Sequence, residues 1–446
     1  MRSSKKLRTS LLALALAVGV LSTSALAAWP VYGGNDNHNA VVSSAPTSST
    51  TTKVAQANLL NSGSGWDGVD TVPVMETAAD GNTYAYVLYD GHSAGAHLLK
   101  INCNVAITKA GTSSVYDDAK VWDVQLESSS GFQLSTPVLY NGKVYAATNS
   151  GSVYAVDTTT GAVDSVVSVT TGQINTPLTI YDGYLYFGTW VGNGTIEGST
   201  DPGRYYQVNL SNHKDIQSVS SIERGFYWAG AVSDGTNVYF GGDDGYLYYR
   251  PLGADFGTTD DADIMDSSLE LPDGAGNVRS TIMMDGSYLY FTTQGGYLWC
   301  CTIGSDGVPS ISWNVSLGGT STSTPTKVGN RIYVGYYSGF SAGGVKCVST
   351  TAGHAVTAVA SGFPVQSSIV VKGTGTGTDY LYFNTNSGTT TLEEYGCGYC
   401  YSYSGGTSGT RVWKTANDTY ALGGMAIENG YAVFGNDYNH LYVVHD

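Results

Sequence analysis

One stretch constrains this chain more than any other: Ser135 to Gly161, reading STPVLYNGKVYAATNSGSVYAVDTTTG. Its apolar residues alternate with polar ones, which is the period of a half-buried β-strand and not of a helix. Val138 and Tyr140 fall on one side of a first strand, and Asn141-Gly142 follows. That dipeptide is the strongest short hairpin signal, because both residues tolerate positive φ. A second strand runs from Lys143 to Thr148, Ser150-Gly151 turns the chain again, and Val153 to Val156 makes a third. Three short strands cannot bury both faces of their own sheet, so the unit needs neighbours.

The rest of the chain supplies them. The leading strand recurs as TVPVM at Thr71, NTPLTIYDG at Asn175, AGAVSDG at Ala229, STIMMDG at Ser280, STPTKVGN at Ser323, SSIVVKG at Ser367 and GGMAIENG at Gly423. Second strands such as YLYFGTW, NVYFGGD and YLYFTTQ follow, and third strands such as YLYYRP and YLWCCT are recognisable in most copies. Trp122, Trp313 and Trp413 mark a fourth strand in three copies. Copies begin roughly 40 to 65 residues apart, a spacing suited to four-stranded propeller blades. The pattern predicts an all-β chain folded as a closed β-propeller of eight four-stranded blades. The last copy ends with its third strand at His440 to Asp446, so Lys53 to Leu60 is expected to complete it. Closing the ring in this way removes exposed sheet edges. The segment WPVYGGNDNHNAVV, from Trp29, has no blade of its own.

Residues 1–27 stand outside this scheme. Arg2, Lys5, Lys6 and Arg8 precede the apolar run Leu11 to Leu21, and Ala25-Leu26-Ala27 fits a small-residue cleavage site. The run is too short to span a bilayer comfortably. It predicts a signal peptide removed before Ala28, an extracytoplasmic protein at the cell surface or in the periplasm, and one propeller domain over residues 28–446. No Cys follows the cleavage site to carry a lipid anchor, and no second stretch is apolar enough to cross a membrane. Removing the leader's basic residues from a formal charge of −16 leaves the mature chain near about −20. Such a surface repels phosphate backbones and anionic lipid, which argues against nucleic-acid binding and against docking on anionic lipid.

The tandem units resemble the PQQ-like, or quinoprotein-like, β-propeller repeats. Ala155, Asp157, Thr160 and Gly161 match that family's A-x-D-x-x-T-G-x-x-x-W docking pattern, with Ser165 in place of the Trp. The opening Trp29-Pro30-Val31-Tyr32-Gly33-Gly34 is also similar to the start of such propellers. The resemblance covers nearly the whole mature chain. It implies the propeller fold and two kinds of function: alcohol dehydrogenases dependent on PQQ and Ca2+, and non-catalytic propellers. The latter include the lipoprotein scaffold of the outer-membrane β-barrel assembly machine.

A quinone site needs a calcium ion held by oxygens, a carboxylate base, an Arg and stacking surfaces. Adjacent Cys300 and Cys301 suggest the vicinal disulfide that quinoprotein dehydrogenases often carry, but alternation along a third strand sends the two to opposite faces as core fillers. Cys347 falls at the repeat position of Cys300 one blade later, a candidate cross-blade disulfide. Cys397 and Cys400 spell C-x-x-C, which without a second pair or a nearby His reads as a local disulfide or as reduced thiols, and not as a zinc site. Two G-x-S-x-G matches, around Ser93 and Ser341, fall between second and third strands, where a nucleophile elbow has no helix to follow it. Asp260, Asp261, Asp263 and Asp266 offer oxygens for calcium, without the spacing or Gly of an EF-hand.

Most of the 34 tyrosines lie in strands and are expected between blades. The loop aromatics Trp190, Phe226, Tyr227, Trp228 and Phe340 are left as candidates for a ligand surface. With no convergent catalytic set, the leading expectation is a secreted, non-catalytic, monomeric propeller that binds or scaffolds a protein partner, with no cofactor. The alternatives are a PQQ- and calcium-dependent dehydrogenase and a glycan-binding propeller.

Overall fold

The computed structural model describes residues 29–60, 68–128, 131–169, 172–191, 203–253, 256–257, 267–387 and 396–446. The leader, residues 1–27, and the Asp260, Asp261, Asp263 and Asp266 cluster lie outside them. Eight antiparallel sheets follow one another round the ring, seven of four strands and one of five. Blade 1 comprises Val74–Thr77, Thr83–Asp90, Ala96–Asn102 and Lys120–Glu127. Blade 2, the stretch that defined the repeat, comprises Val138–Tyr140, Lys143–Ala147, Ser152–Asp157 and Val163–Ser168. Blades 3 to 7 begin at Thr179, Val232, Met283, Thr326 and Val370. Blade 3 also gains a short strand, Gln173–Ile174, paired with the end of Tyr184–Trp190.

Blade 8 joins the two ends of the chain. Ala426–Glu428, Tyr431–Gly435 and His440–His445 form its inner three strands, and Lys53–Asn58 pairs with His440–His445 from Lys53 opposite His445 to Asn58 opposite His440. The ring therefore closes with an N-terminal strand, as expected. Among the described residues, no helix is long and apolar enough to cross a membrane.

Each recurring letter of the repeat has a physical cause. The Ser or Thr before the first strand accepts the backbone N–H of the second: Gly188 N to Thr176 Oγ1 (2.8 Å), Thr292 N to Ser280 Oγ (2.8 Å), Gly335 N to Ser323 Oγ (3.0 Å) and Asn384 N to Ser367 Oγ (3.1 Å). Those amides are buried, so the hydroxyl relieves a group that would otherwise lose water without replacement. The tyrosine in the middle of the second strand packs between its own blade and the next, as with Tyr86, Tyr145, Tyr290 and Tyr333. Several of these phenols reach a polar partner, such as Tyr186 to Gln207 (2.6 Å) and Tyr333 to Asp379 (2.6 Å). The three fourth-strand tryptophans share one register position: Trp122 opposite Lys100, Trp313 opposite Cys300 and Trp413 opposite Cys400. Trp122 donates to the Thr158 carbonyl of blade 2 (3.2 Å), and Trp313 stacks on His354 of blade 6 at 4.1 Å. Each docks its blade onto the next.

Blade 1 carries an insertion that the repeat did not announce. Two short helices, Cys103–Thr108 and Val115–Ala119, precede its fourth strand and contact Lys53–Asn58. The Asn102 side chain caps the first by accepting from the N–H groups of Asn104 and Val105.

The segment without a blade becomes a strap. It follows the ring along the free edges of the first strands. Trp29 bridges Met75 of blade 1, and the Pro30 carbonyl accepts from Leu139 N of blade 2 (2.7 Å). Tyr181 of blade 3 donates to the Asp36 carbonyl (2.8 Å), and Met284 N of blade 5 donates to that of Asn37 (3.0 Å). His38 donates to the Ile282 carbonyl (3.1 Å), and its burial pushes the imidazole down to about 4, so it is neutral at pH 7. Asn39 donates to Lys327 O (3.0 Å) and accepts from Lys327 N (2.9 Å) in blade 6, and Val41 bridges Val371 of blade 7 in parallel. The strap turns at Gly33 and Gly34, with φ of 72° and 77°. A Cβ on Gly34 would stand 2.6 Å from the Trp29 ring, so Gly is required there.

Candidate functional site

The strap occupies one end of the central channel. The opposite face carries the turns between second and third strands and the links between blades. Registers identify equivalent positions there: Val74, Val138, Val232 and Met283 each pair with the mid-strand Tyr of their blade. Counting back four residues gives the ring at the open mouth. It holds Asp70, Leu134, Asn175, Trp228, Arg279, Thr322, Gln366 and Leu422. Equivalent backbone sites thus carry one indole and one cation, side by side in blades 4 and 5.

These two sit in a locked cluster. Arg279 makes a two-pronged ion pair with Asp243 from the second turn of blade 4, with Nη2 to Oδ2 at 2.7 Å and Nε on the other oxygen. The Asp243 side chain is 1% exposed, and its Oδ2 also accepts the Trp190 indole N–H at 2.8 Å. Burial alone would lower the Arg279 pKa, but Asp243 beside it raises it, so the guanidinium stays charged. That guanidinium lies 4.4 Å from the Tyr227 ring and 5.7 Å from Trp190. Tyr227 meets Trp190 edge-on at 4.8 Å and Trp228 at 4.7 Å. Burial, in the first place, drives the Tyr227 hydroxyl well above the usual tyrosine range, so it stays protonated.

Asp244, next to Asp243, fixes the loop that delivers these rings. It accepts Tyr248 OH (2.6 Å) and the N–H groups of Ile222 (3.1 Å) and Glu223 (3.2 Å). Its burial raises its carboxyl pKa to about 6. Along the same loop Arg224 and Trp228 adopt left-handed backbone, φ 62° and 57°. A bulky residue in that region is strained and persists only where its surroundings hold it.

Of the five loop aromatics singled out from the sequence, Trp190, Tyr227 and Trp228 meet here. Phe226 does not join them: it is fully buried between blades 3 and 4. Phe340 is 47% exposed and packs edge-on against Tyr420 at 5.7 Å. Sequence reasoning missed Arg279 and Asp243. Register alignment was the available signal, since Arg279 is the one cation at its repeat position.

The six cysteines are all free and buried. Cys300 packs between blades 5 and 6, and Cys301 between blades 4 and 5. Cys347 lies between blades 6 and 7, so the sixth sheet separates it from Cys300 and the two are not bridged. Cys397 and Cys400 also face opposite cores, because three residues of extended chain reverse the side. Cys300, Cys347 and Cys400 share one register position, each opposite its blade's mid-strand Tyr.

Ser93 and Ser341 stand in turns that lead into strands Ala96–Asn102 and Ala342–Ser349, not into helices. Near the first, His97 Nδ1 is 2.9 Å from Asp123 Oδ1, but its Nε2 is 3.3 Å from the Ala94 carbonyl. Asp123 also accepts from Tyr89 (2.6 Å) and Tyr116 (2.5 Å). Burial raises its pKa, and these bonds outweigh that and bring it below the usual range. This is a structural network.

The residues present do not fit a quinone. The mouth does bring together an indole, an Arg and the carboxylates Asp70 and Asp243, but the Arg is tied to Asp243. The cavity beneath, bordered by Tyr32, Asp70, Thr136, Trp228, Gln366 and Ser368, holds about 40 Å³. That is room for a few waters, against the several hundred Å³ of a cofactor pocket. Among the described residues, no three His, Cys, Asp or Glu side chains are grouped to hold a metal ion.

No protein-family model and no curated protein matches the chain. Solved structures do. BamB from Moraxella catarrhalis superposes with a TM-score of 0.54 at 14% identity, over 88% of this chain and 99% of that one. Quinohemoprotein alcohol dehydrogenase from Comamonas testosteroni gives 0.54 at 10%, over 93% and 80%. The computationally designed protein Ika8 gives 0.53 at 12%, over 87% and 100%. At such identities the likeness is one of fold. The chain is an eight-bladed β-propeller with the fold of the PQQ-like propellers that its repeats resemble.

Proposed function

We propose that this chain is an exported, non-catalytic and monomeric propeller that binds a protein partner at the bacterial envelope across its open face. The observation that carries this reading is the mouth cluster, in which Trp228, Tyr227 and Trp190 are held rigid around the Arg279–Asp243 pair. Partly buried aromatic side chains that are already ordered lose little entropy on binding and are the usual anchors of protein interfaces. With the strap along one end of the channel, the opposite mouth is the better-built surface. The quinone-dependent enzyme stands second, because the cavity is too small and the guanidinium of the mouth is already tied to Asp243.

The test uses the full mature chain, immobilised and exposed to an envelope extract, beside Trp228→Gly and Tyr227→Ala. The reading expects one partner retained in stoichiometric amount by the unaltered protein and lost by both variants, each still folded by circular dichroism at the assay temperature. Equal retention by the variants would move the site off the mouth. Saturable binding of PQQ with Ca2+, followed by alcohol-dependent dye reduction, would overturn the non-catalytic reading.

A further inference from the structure

A second feature of the open face lies on the far side of Trp190. Between blades 2 and 3 a cleft of about 320 Å³ is bordered by Asn149, Ser150, Val169, Gln173, Trp190 and Val191. We propose that this cleft binds one ring of a neutral oligosaccharide.

The lining matches what a sugar ring presents. A pyranose has C–H groups on its faces and hydroxyls around its rim, so it requires an aromatic or aliphatic wall beside amides that donate and accept. Trp190, Val169 and Val191 supply the first, Asn149 and Gln173 the second. The aromatic wall is fixed in advance. The Trp190 indole N–H is tied to Asp243 at 2.8 Å, and Tyr227 packs edge-on against the ring. Asn149 is held too: its backbone N–H donates to Gln133 Oε1 (3.1 Å) and its Oδ1 accepts from Gln133 Nε2 (3.3 Å). Ordered side chains reduce the entropy lost on binding, which matters most for weakly held sugars. The volume falls at the lower end of small-molecule pockets, the size for one ring and not an extended peptide.

Charge selects among sugars. None of these lining residues is ionisable, and the chain as a whole carries −16. An anionic glycan would find no cation among the described residues of the cleft and would meet a repulsive field. An aliphatic peptide side chain would use only the apolar wall of the cleft, and it is the competing occupant.

Calorimetry on the full mature chain with cellotetraose, chitotetraose and maltotetraose, and with tetragalacturonate as acidic control, tests the proposal. At least one neutral tetrasaccharide is expected to bind with a Kd below about 1 mM. Gln173→Ala should weaken it by about tenfold, and Ser150→Trp, which fills the rim, should abolish it. Trp190→Ala should abolish it as well, whereas Trp190→Phe, which keeps an aromatic wall and guards against misfolding, should retain most of it. No saturable binding of any neutral sugar at about 10 mM overturns the proposal. So does binding that survives Gln173→Ala and Ser150→Trp, or equal affinity for tetragalacturonate. The outcome is separate from that of the protein-partner reading, because the Gln173 and Ser150 variants leave Trp228 and Arg279 untouched.

Discussion

Replacing Arg279 is the sharpest probe of the mouth. The Arg279→Ala variant leaves the Asp243 carboxylate, 1% exposed, with the Trp190 N–H but no cation. Breaking a buried ion pair from one side costs about 3–5 kcal/mol, because the remaining charge has neither water nor partner. Asp243→Asn removes that charge, keeps an acceptor for Trp190 and should cost less, about 2 kcal/mol. Combining Arg279→Ala with Asp243→Asn removes both charges, so its loss should fall well short of the sum. The expected coupling is about 2 kcal/mol or more. Unfolding entropy scales with chain length, so for a domain this long the Arg279→Ala loss appears as about 4 °C in Tm. Urea unfolding of the four proteins at one pH measures the cycle. Additive losses, or a cost below about 0.5 kcal/mol for Arg279→Ala, would refute the claim that this pair organises the mouth.

Other outcomes follow from the same geometry. Trp228→Gly removes a left-handed bulky residue, so thermal unfolding should show Tm unchanged or slightly raised, by about 1 kcal/mol of relieved strain. Trp29→Ala empties a site 2% exposed in the strap and should cost about 3–5 kcal/mol by urea titration; a near-neutral result would mean that the strap does not secure the ring. Burial pushes the Cys300 and Cys347 thiols up to about 11 and Cys301 up to about 12, so a thiol reagent should detect none of the six in the native protein and all six in denaturant. A raised carboxyl pKa means that the folded state holds its proton more tightly than the unfolded chain. Stability from Asp244 is therefore fully present below about pH 4 and lost as pH rises through about 6, and carboxyl NMR should place its midpoint near 6. Asp123 has the opposite sign: its contribution is present above about pH 4 and is lost as acid protonates it.

What was legible in the sequence is what recurs in it. The Ser/Thr before the first strand, the mid-strand Tyr and the fourth-strand Trp each perform the same local task in the blades that carry them, so their recurrence exposes the fold. Lys53–Asn58 was legible by counting, since a final copy with three strands in a closed ring needs a fourth from elsewhere. The strap was not, because its bonds run to a different blade every few residues and leave no period. The Arg279–Asp243 pair joins the link before blade 5 to a turn of blade 4, neighbours only once the blades stack. The cysteines show the limit of matching repeat positions. Cys300 and Cys347 are equivalent in register, and for that reason each faces its own interblade core and not the other.

Site-specific photo-crosslinking tests the central claim most directly. A photoreactive residue would be placed at Gln366 or Phe340 on the open face, or at Asn141 or Asp164 on the strap side, in the protein expressed in its own cells. The account predicts one discrete protein adduct from Gln366 and Phe340 and none from Asn141 and Asp164. Adducts formed only from the strap side, or from no position on either face, would contradict it.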